Sequence, residues 1–210
     1  MALVQPWQKQ STPSLTLKVN TMAIYTVPNL LTFFRILAIP GIVFGMYSQS
    51  FWGDWIAFAL FVTAGITDFF DGFLARAMRQ TSMIGRFLDP IADKLLVSTV
   101  LIACVGLGRV NGWHLIPVIL IVCREIFISG LREFLADYQI RMPVNQLGKW
   151  KTMTQMVAIG FLVIYPSVPV QWGLGWIGIS LIWVSTIFSV WSGVVYMISA
   201  FRQTQRVHNN

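Results

Sequence analysis

The stretch Thr67–Leu96 reads TDFFDGFLARAMRQTSMIGRFLDPIADKLL and holds four of the eight acidic residues of a 210-residue chain. Asp68 and Asp71 stand at i and i+3, and Asp89 and Asp93 at i and i+4, so each pair shares one face of a helix. A short polar turn near Arg79–Ser82 separates the pairs, which predicts an antiparallel helical hairpin with the four carboxylates converging at similar depth. An Asp at the centre of a bilayer costs about 2.5–3.5 kcal/mol, so four uncompensated ones would cost roughly 10–14 kcal/mol, comparable to the net stability of a domain. Arg76, Arg79 and Arg86, or protonation, could offset part of this, and a solvated hairpin end would need no compensation. Two divalent cations would cancel all four charges, and an all-oxygen donor set suits Mg²⁺ or Mn²⁺. A pair of such ions can clamp a phosphoryl group during in-line displacement. Gly72 lies one turn after Asp68 and Gly85 one turn before Asp89. Two readings stay open for them, room for a ligand beside the carboxylates and close helix packing. Arg76 projects near the same site and can grip phosphate oxygens bidentately.

The surroundings of this stretch are apolar. Hydrophobic residues make up 56% of the chain and charged residues 11%, against roughly 45–50% and 25% in soluble proteins. With a mean hydropathy of +0.67, this excludes a disordered chain, a coiled coil and most soluble globular classes. The net charge of +7 suits either nucleic acid or an anionic membrane surface. So apolar a sequence decides for the membrane, and no nucleic-acid partner is expected. Six apolar stretches run over Leu30–Tyr47, Trp55–Ala77, Ile84–Leu107, Trp113–Leu135, Thr152–Tyr165 and Leu174–Phe201. About 20 apolar residues span the hydrocarbon core, so several of these helices should project from one side with charged ends. Breaks fall at Ser48–Asp54, Gly108–Gly112 and Pro166–Gly173, which are rich in turn-forming residues. Pro90, directly after Asp89, predicts a local kink.

Six spans put those three breaks on one side, which carries only Arg109, against 14 Lys and Arg on the other. The positive-inside rule then places both termini and the charged helix ends in the cytoplasm, with the chain in the cytoplasmic (inner) membrane. Trp52, Trp55, Trp113, Trp172 and Trp176 cluster near the opposite loops as an aromatic belt. The first 22 residues hold Lys9 and Lys18, no acid and no apolar core, which predicts a cytoplasmic tail, partly interfacial around Trp7, rather than a signal peptide. The organisation expected is a tail over residues 1–22, one all-α, six-helix polytopic membrane domain over 23–203 with a cytoplasm-facing polar site, and a short cytoplasmic tail over 204–210. Cys104 and Cys123 sit in apolar runs as small core residues, and His114 and His208 form no zinc pattern.

The spacing Asp68-x-x-Asp71-Gly72-x-x-Ala75-Arg76, eight residues, Gly85-x-x-x-Asp89-x-x-x-Asp93 resembles the signature of the CDP-alcohol phosphotransferases at all eight fixed positions. The resemblance covers about Val27–Phe201 and agrees with a six-helix membrane architecture. It implies a metal-dependent transfer of a phosphatidyl group from CDP-diacylglycerol to an alcohol, with release of CMP, by a homodimer. It also implies two divalent cations, Mg²⁺ or Mn²⁺, held by Asp68, Asp71 and Asp89, with Asp93 beside them as the base that activates the acceptor hydroxyl. Contacts to the CDP-lipid carry over onto Asn29, Leu30, Leu31 and Thr32, and onto Gly72, Arg76 and Ser82.

The acceptor is read from further basic residues. Arg124 and Arg132 stand eight apart on one helix face, and Lys149 and Lys151 lie near a helix start, where the macrodipole also favours anions. Ordinary positive-inside bias would explain them too, and Glu125 and Glu133 could be partners of the two arginines. The strings GRFLDPIADKLL, REIFISGLRE and GKWKTMTQ resemble the bacterial branch of the family that acts on sn-glycerol 3-phosphate, in which such residues accompany the acceptor phosphate. That implies phosphatidylglycerophosphate as the product, in phospholipid biosynthesis. An inositol phosphate acceptor would need the same cations. From another class, a divalent cation transporter or channel predicts acids spread through the depth of the bundle, and a structural membrane subunit gives no reason for the glycine placements.

Overall fold

The computed structural model describes the backbone of residues 27–78, 83–137 and 146–208, and the side chains of 29–67, 88–136 and 148–205. Among the described residues, six helices follow one another: α1 Val27–Tyr47, α2 Phe51–Met78, α3 Met83–Gly106, α4 Leu115–Asp137, α5 Gln146–Ile164 and α6 Leu174–His208. Single 3₁₀ turns lie at Gly112–His114, Tyr165–Ser167 and Val170–Trp172, and no strand occurs among the described residues. The all-helical expectation is met. Among the described residues, three helices are long and apolar enough to cross a membrane, over Asn29–Tyr47, Gly112–Ala136 and Val170–Gln205, while the apolar part of α2, Phe51–Thr67, is shorter. The expected tail around Trp7 lies outside the described residues.

Two boundaries differ from the sequence reading. The break expected over Ser48–Asp54 is narrower, because Ser50 starts a helix. Its Oγ accepts the Gly53 N–H at 3.1 Å, and its carbonyl accepts the Asp54 N–H at 3.0 Å, the geometry of a serine N-cap. At the other end of the chain, α6 continues past Phe201 to His208. α3 runs through Pro90 without interruption.

α1 packs along α2 and α3, α5 along α6, α2 and α3, and α4 against α6. Among the described residues, the principal contacts of α2 and α3 therefore run through α1 and α5. The α1–α2 crossing depends on two glycines. A Cβ on Gly45 would stand 2.7 Å from the Gly53 carbonyl oxygen, and one on Gly53 would stand 2.5 Å from the Gly45 oxygen. Small residues allow this backbone approach in membrane helices. Ile42, Met46, Ala57, Phe61, Leu96, Val100, Leu101, Ile121, Ile159 and Leu162 fill the interior. The outside is equally apolar: Leu37, Phe44, Ile102, Ile119 and Ile187 are exposed, as lipid-facing side chains should be. Trp52, Trp55, Trp113, Trp172 and Trp176 are exposed as well. Cys104 is buried, but Cys123 is exposed and is not a core residue. On α4 it falls among outward-facing neighbours such as Leu120 and Ile126.

A buried ion pair staples the end of the bundle opposite the aspartates. α3 stops in a Schellman motif: Gly108 adopts a left-handed φ of +68°, and the Gly108 and Arg109 N–H groups return to the carbonyls of Val105 and Cys104. The turn sends Arg109 inward, where it donates to Asp54 Oδ1 at 2.6 Å, to the Met46 carbonyl at 3.4 Å, and to the carbonyls of Leu162 and Val163. Ser167 Oγ donates to the other Asp54 oxygen at 2.7 Å. The carboxylate thus sits at the positive start of α2, and the guanidinium at the negative ends of α1 and α5. Both side chains are buried. Asp54→Asn is expected to destabilise the fold by about 3–5 kcal/mol, the usual cost of leaving a buried charge without its partner. Thermal unfolding in detergent checks this, and an unchanged midpoint would deny the pair a structural role.

Candidate active site

The aspartates lie at the opposite end from the Arg109 staple. Asp68 and Asp71 fall in the second half of α2, and Asp89 and Asp93 in the first half of α3. The backbone of α2 continues through Asp68, Asp71, Gly72 and Arg76, whose side chains lie outside the described residues, as does Ser82 altogether. Among the described residues, no group of three or more acids, histidines or cysteines comes together as a metal site. What is visible of the donor set is two half-buried carboxylates one turn apart on α3. Their hard oxygen chemistry fits a divalent cation such as Mg²⁺ or Mn²⁺.

α1 faces Asp89. Thr32 is fully buried, and its hydroxyl donates to Asp89 Oδ1. Asn29, one turn earlier, is buried as well, while Leu30 between them is 66% exposed and Leu31 is half-buried. The segment Asn29–Thr32 thus turns its two polar side chains inward and its first leucine outward, as spacing by three on a helix requires. Arg35, one further turn along, is also buried. In the sequence it stands only among the 14 cytoplasmic-side cations. The signal was available, since Asn29, Thr32 and Arg35 repeat every three residues on an otherwise apolar helix.

One turn along α3, a small cleft is lined by Asp93, Lys94, Glu125, Lys151, Thr152 and Gln155, among others. It brings together α3, α4 and α5. Lys151 is buried, and its Nζ pairs with Glu125 Oε1. Arg124 reaches the same Glu125 oxygen at 3.4 Å. Arg124 also binds α6, donating from Nε to the Ser189 carbonyl at 3.2 Å and from an Nη to Ser192 Oγ at 3.0 Å. Lys94 donates to the Pro90 carbonyl at 3.1 Å, one turn back on its own helix.

The four basic residues expected at the acceptor phosphate therefore divide. Arg124 and Lys151 meet through Glu125 at the cleft. Arg132 lies two turns further along α4, with its guanidinium 5.9 Å from the centre of the Tyr196 ring, a cation–π arrangement. Lys149 is exposed in the first turn of α5. In the sequence Glu125 is simply the next residue to Arg124. Its bridge to Lys151, 26 positions away, has no local signature.

This geometry combines acids on α2 and α3, a polar face on α1, and a cleft with cations and a carboxylate. Similarity to known proteins points the same way. The profile of the CDP-alcohol phosphatidyltransferase family matches residues 25–191. A Cereibacter sphaeroides protein named CDP-diacylglycerol–glycerol-3-phosphate 3-phosphatidyltransferase is 49% identical over 139 residues, covering 66% of this chain and 63% of that relative. An Escherichia coli protein of the same name is 38% identical over 178 residues, covering 84% of this chain and 95% of that protein. An Arabidopsis thaliana chloroplastic/mitochondrial protein, named as form 1 of the same enzyme, is 41% identical over 185 residues, covering 83% of this chain and 62% of its own length. A family match over most of the chain, with the aspartate signature inside it, makes this protein a member of the CDP-alcohol phosphatidyltransferase family.

Proposed function

We propose that this protein transfers a phosphatidyl group from CDP-diacylglycerol to sn-glycerol 3-phosphate, giving phosphatidylglycerophosphate and CMP. The observation that carries the reading is the cleft in which Asp93 shares walls with Lys151 and Glu125, beside an Asp89 held by Thr32. Family membership and relatives bearing this activity in their names support it.

Asp93 accepts the proton of the acceptor's terminal hydroxyl as the oxygen attacks the β-phosphorus of the CDP group. A new phosphorus–oxygen bond forms, the bond from that phosphorus to the bridging oxygen breaks, and the electron pair leaves with CMP. Asp68, Asp71 and Asp89, with Asp93 beside them, would hold two divalent cations, Mg²⁺ or Mn²⁺, which supply charge neutralisation at the diphosphate when bound. Thr32 orients Asp89, and Asn29 and Thr32 with Arg76, Gly72 and Ser82 receive the nucleotide portion. Lys151 in the cleft, with Arg124 beside it and Arg132 and Lys149 further out, attracts the acceptor phosphate. Repulsion between a dianionic acceptor and a diphosphate makes such cations necessary.

The membrane arrangement follows from the same reading. All six helices cross the cytoplasmic membrane, with α2, α3 and α5 carrying polar cytoplasmic ends. Both termini and the active site face the cytoplasm, where CMP and the water-soluble acceptor exchange, while the acyl chains stay in the bilayer. The enzyme works as a homodimer, as its family implies.

The deciding experiment measures CMP release from CDP-diacylglycerol by the purified full chain with Mg²⁺ or Mn²⁺. Release is expected to depend on sn-glycerol 3-phosphate and not on inositol phosphate, serine or choline. Lys151→Ala is expected to raise the KM for sn-glycerol 3-phosphate by roughly 10- to 150-fold, since a charge-assisted hydrogen bond contributes about 1.5–3 kcal/mol and about 1.4 kcal/mol is tenfold. The KM for CDP-diacylglycerol should change far less. Dependence on a different acceptor, or equal movement of both KM values, would overturn the acceptor assignment.

A further inference from the structure

Gln155 lies on α5 one turn beyond Lys151 and lines the same cleft as Asp93. It is only 3% exposed, yet its Oε1 has no hydrogen-bond partner among the described residues. A buried amide oxygen without a partner costs stability, because desolvation is not compensated. Such a group is retained most readily where a ligand completes it. Among the described residues, its immediate neighbour Met156 is apolar, and the cations around it have partners on Glu125, Pro90, Ser189 and Ser192.

We infer that Gln155 is a specificity residue that accepts a hydrogen bond from the acceptor's secondary hydroxyl, the one that does not react. This rests on the proposed acceptor, sn-glycerol 3-phosphate. That molecule presents a phosphate, a secondary hydroxyl and a terminal hydroxyl on three successive carbons. The cleft holds a cation suited to the first, an unsatisfied amide suited to the second and a carboxylate suited to the third. Lys151 and Gln155 stand at i and i+4, which sets their side chains about 5–6 Å apart at Cβ on one helix face, a separation matched to neighbouring groups on a short polyol phosphate. A site built to bind a hydroxyl rejects the analogue lacking it, because its own polar group is then left without a partner.

The test compares sn-glycerol 3-phosphate with 3-hydroxypropyl phosphate, which keeps the phosphate and terminal hydroxyl and lacks only the secondary one. The full chain is assayed with both acceptors, as is Gln155→Met, which preserves side-chain length. The parent protein is expected to favour glycerol 3-phosphate by about 10- to 100-fold in kcat/KM, and Gln155→Met to lose that preference by lowering only the glycerol 3-phosphate value. The KM for CDP-diacylglycerol should stay within about threefold of the parent's, an allowance for indirect effects at a site that does not touch the lipid. Equal losses with both acceptors would make Gln155 a packing residue and overturn the inference. So would equal use of the two acceptors by the parent protein, an outcome that needs no variant to fold. A parent protein that releases CMP with neither acceptor would overturn the proposed function itself. A parent active with glycerol 3-phosphate whose preference survives Gln155→Met would overturn the role of Gln155 alone.

Discussion

Asp93→Asn is expected to lower kcat by about 10²–10⁴-fold, the range that positioned general bases contribute. Asparagine keeps the size and polarity of the side chain and removes its ability to take a proton. Asp93 lies on α3 one turn beyond the Thr32-held Asp89, on the wall of the cleft shared with Lys151 and Gln155. It lines that cleft, while Asp89 is held from α1 by Thr32. Binding of CDP-diacylglycerol, measured by equilibrium titration in detergent, should survive the substitution. An equal loss of binding and turnover would assign Asp93 mainly to metal coordination, and near-normal turnover would remove it from the reaction.

The second large effect concerns the other three aspartates. Asp68→Asn, Asp71→Asn and Asp89→Asn are each expected to reduce turnover by roughly 10³-fold, because a bound metal supplies several kcal/mol of transition-state charge stabilisation and each 1.36 kcal/mol is a factor of ten. Raising the Mg²⁺ or Mn²⁺ concentration should recover part of the loss, and Mn²⁺ titration followed by paramagnetic resonance should show weakened binding. Unchanged metal dependence in all three variants would return these acids to the solvated hairpin end that their spacing also permits. Asp89→Asn carries a further expectation: its amide can still accept from Thr32, so the contact between α1 and α3 should persist and the thermal midpoint should change little.

The chemistry was legible before the fold because it is written at short range. Asp68 and Asp71, and Asp89 and Asp93, are spaced by three and four, and helix geometry alone puts each pair on one face. The apolar runs are equally local, since a helix in lipid must satisfy its own backbone and show hydrocarbon to its surroundings. Helices α1 to α6 therefore follow the six runs closely. Boundaries moved where a single side chain intervened, as when the Ser50 hydroxyl capped α2 and drew Phe51–Asp54 out of the expected loop.

Contacts between helices left no such trace. Thr32 and Asp89 are 57 positions apart, and Arg109 and Asp54 are 55 apart. Their meeting depends on how α1, α2 and α3 cross, which is decided in part by backbone approach at Gly45 and Gly53. Asp54 looked like a loop residue and Arg109 like a lone outer cation, yet together they lock one end of the bundle. Glu125 belongs to this class as well, since only the packing of α4 beside α5 and α6 brings its carboxylate to both Arg124 and Lys151. From sequence, the type of chemistry and the helices that bear it could be read, because both follow from periodicity along one helix. Which cations line the cleft with Asp93, and that the Gln155 Oε1 is buried there with no partner among the described residues, is decided only by the tertiary structure, because burial and pairing are properties of neighbours that the chain brings together from far along its length.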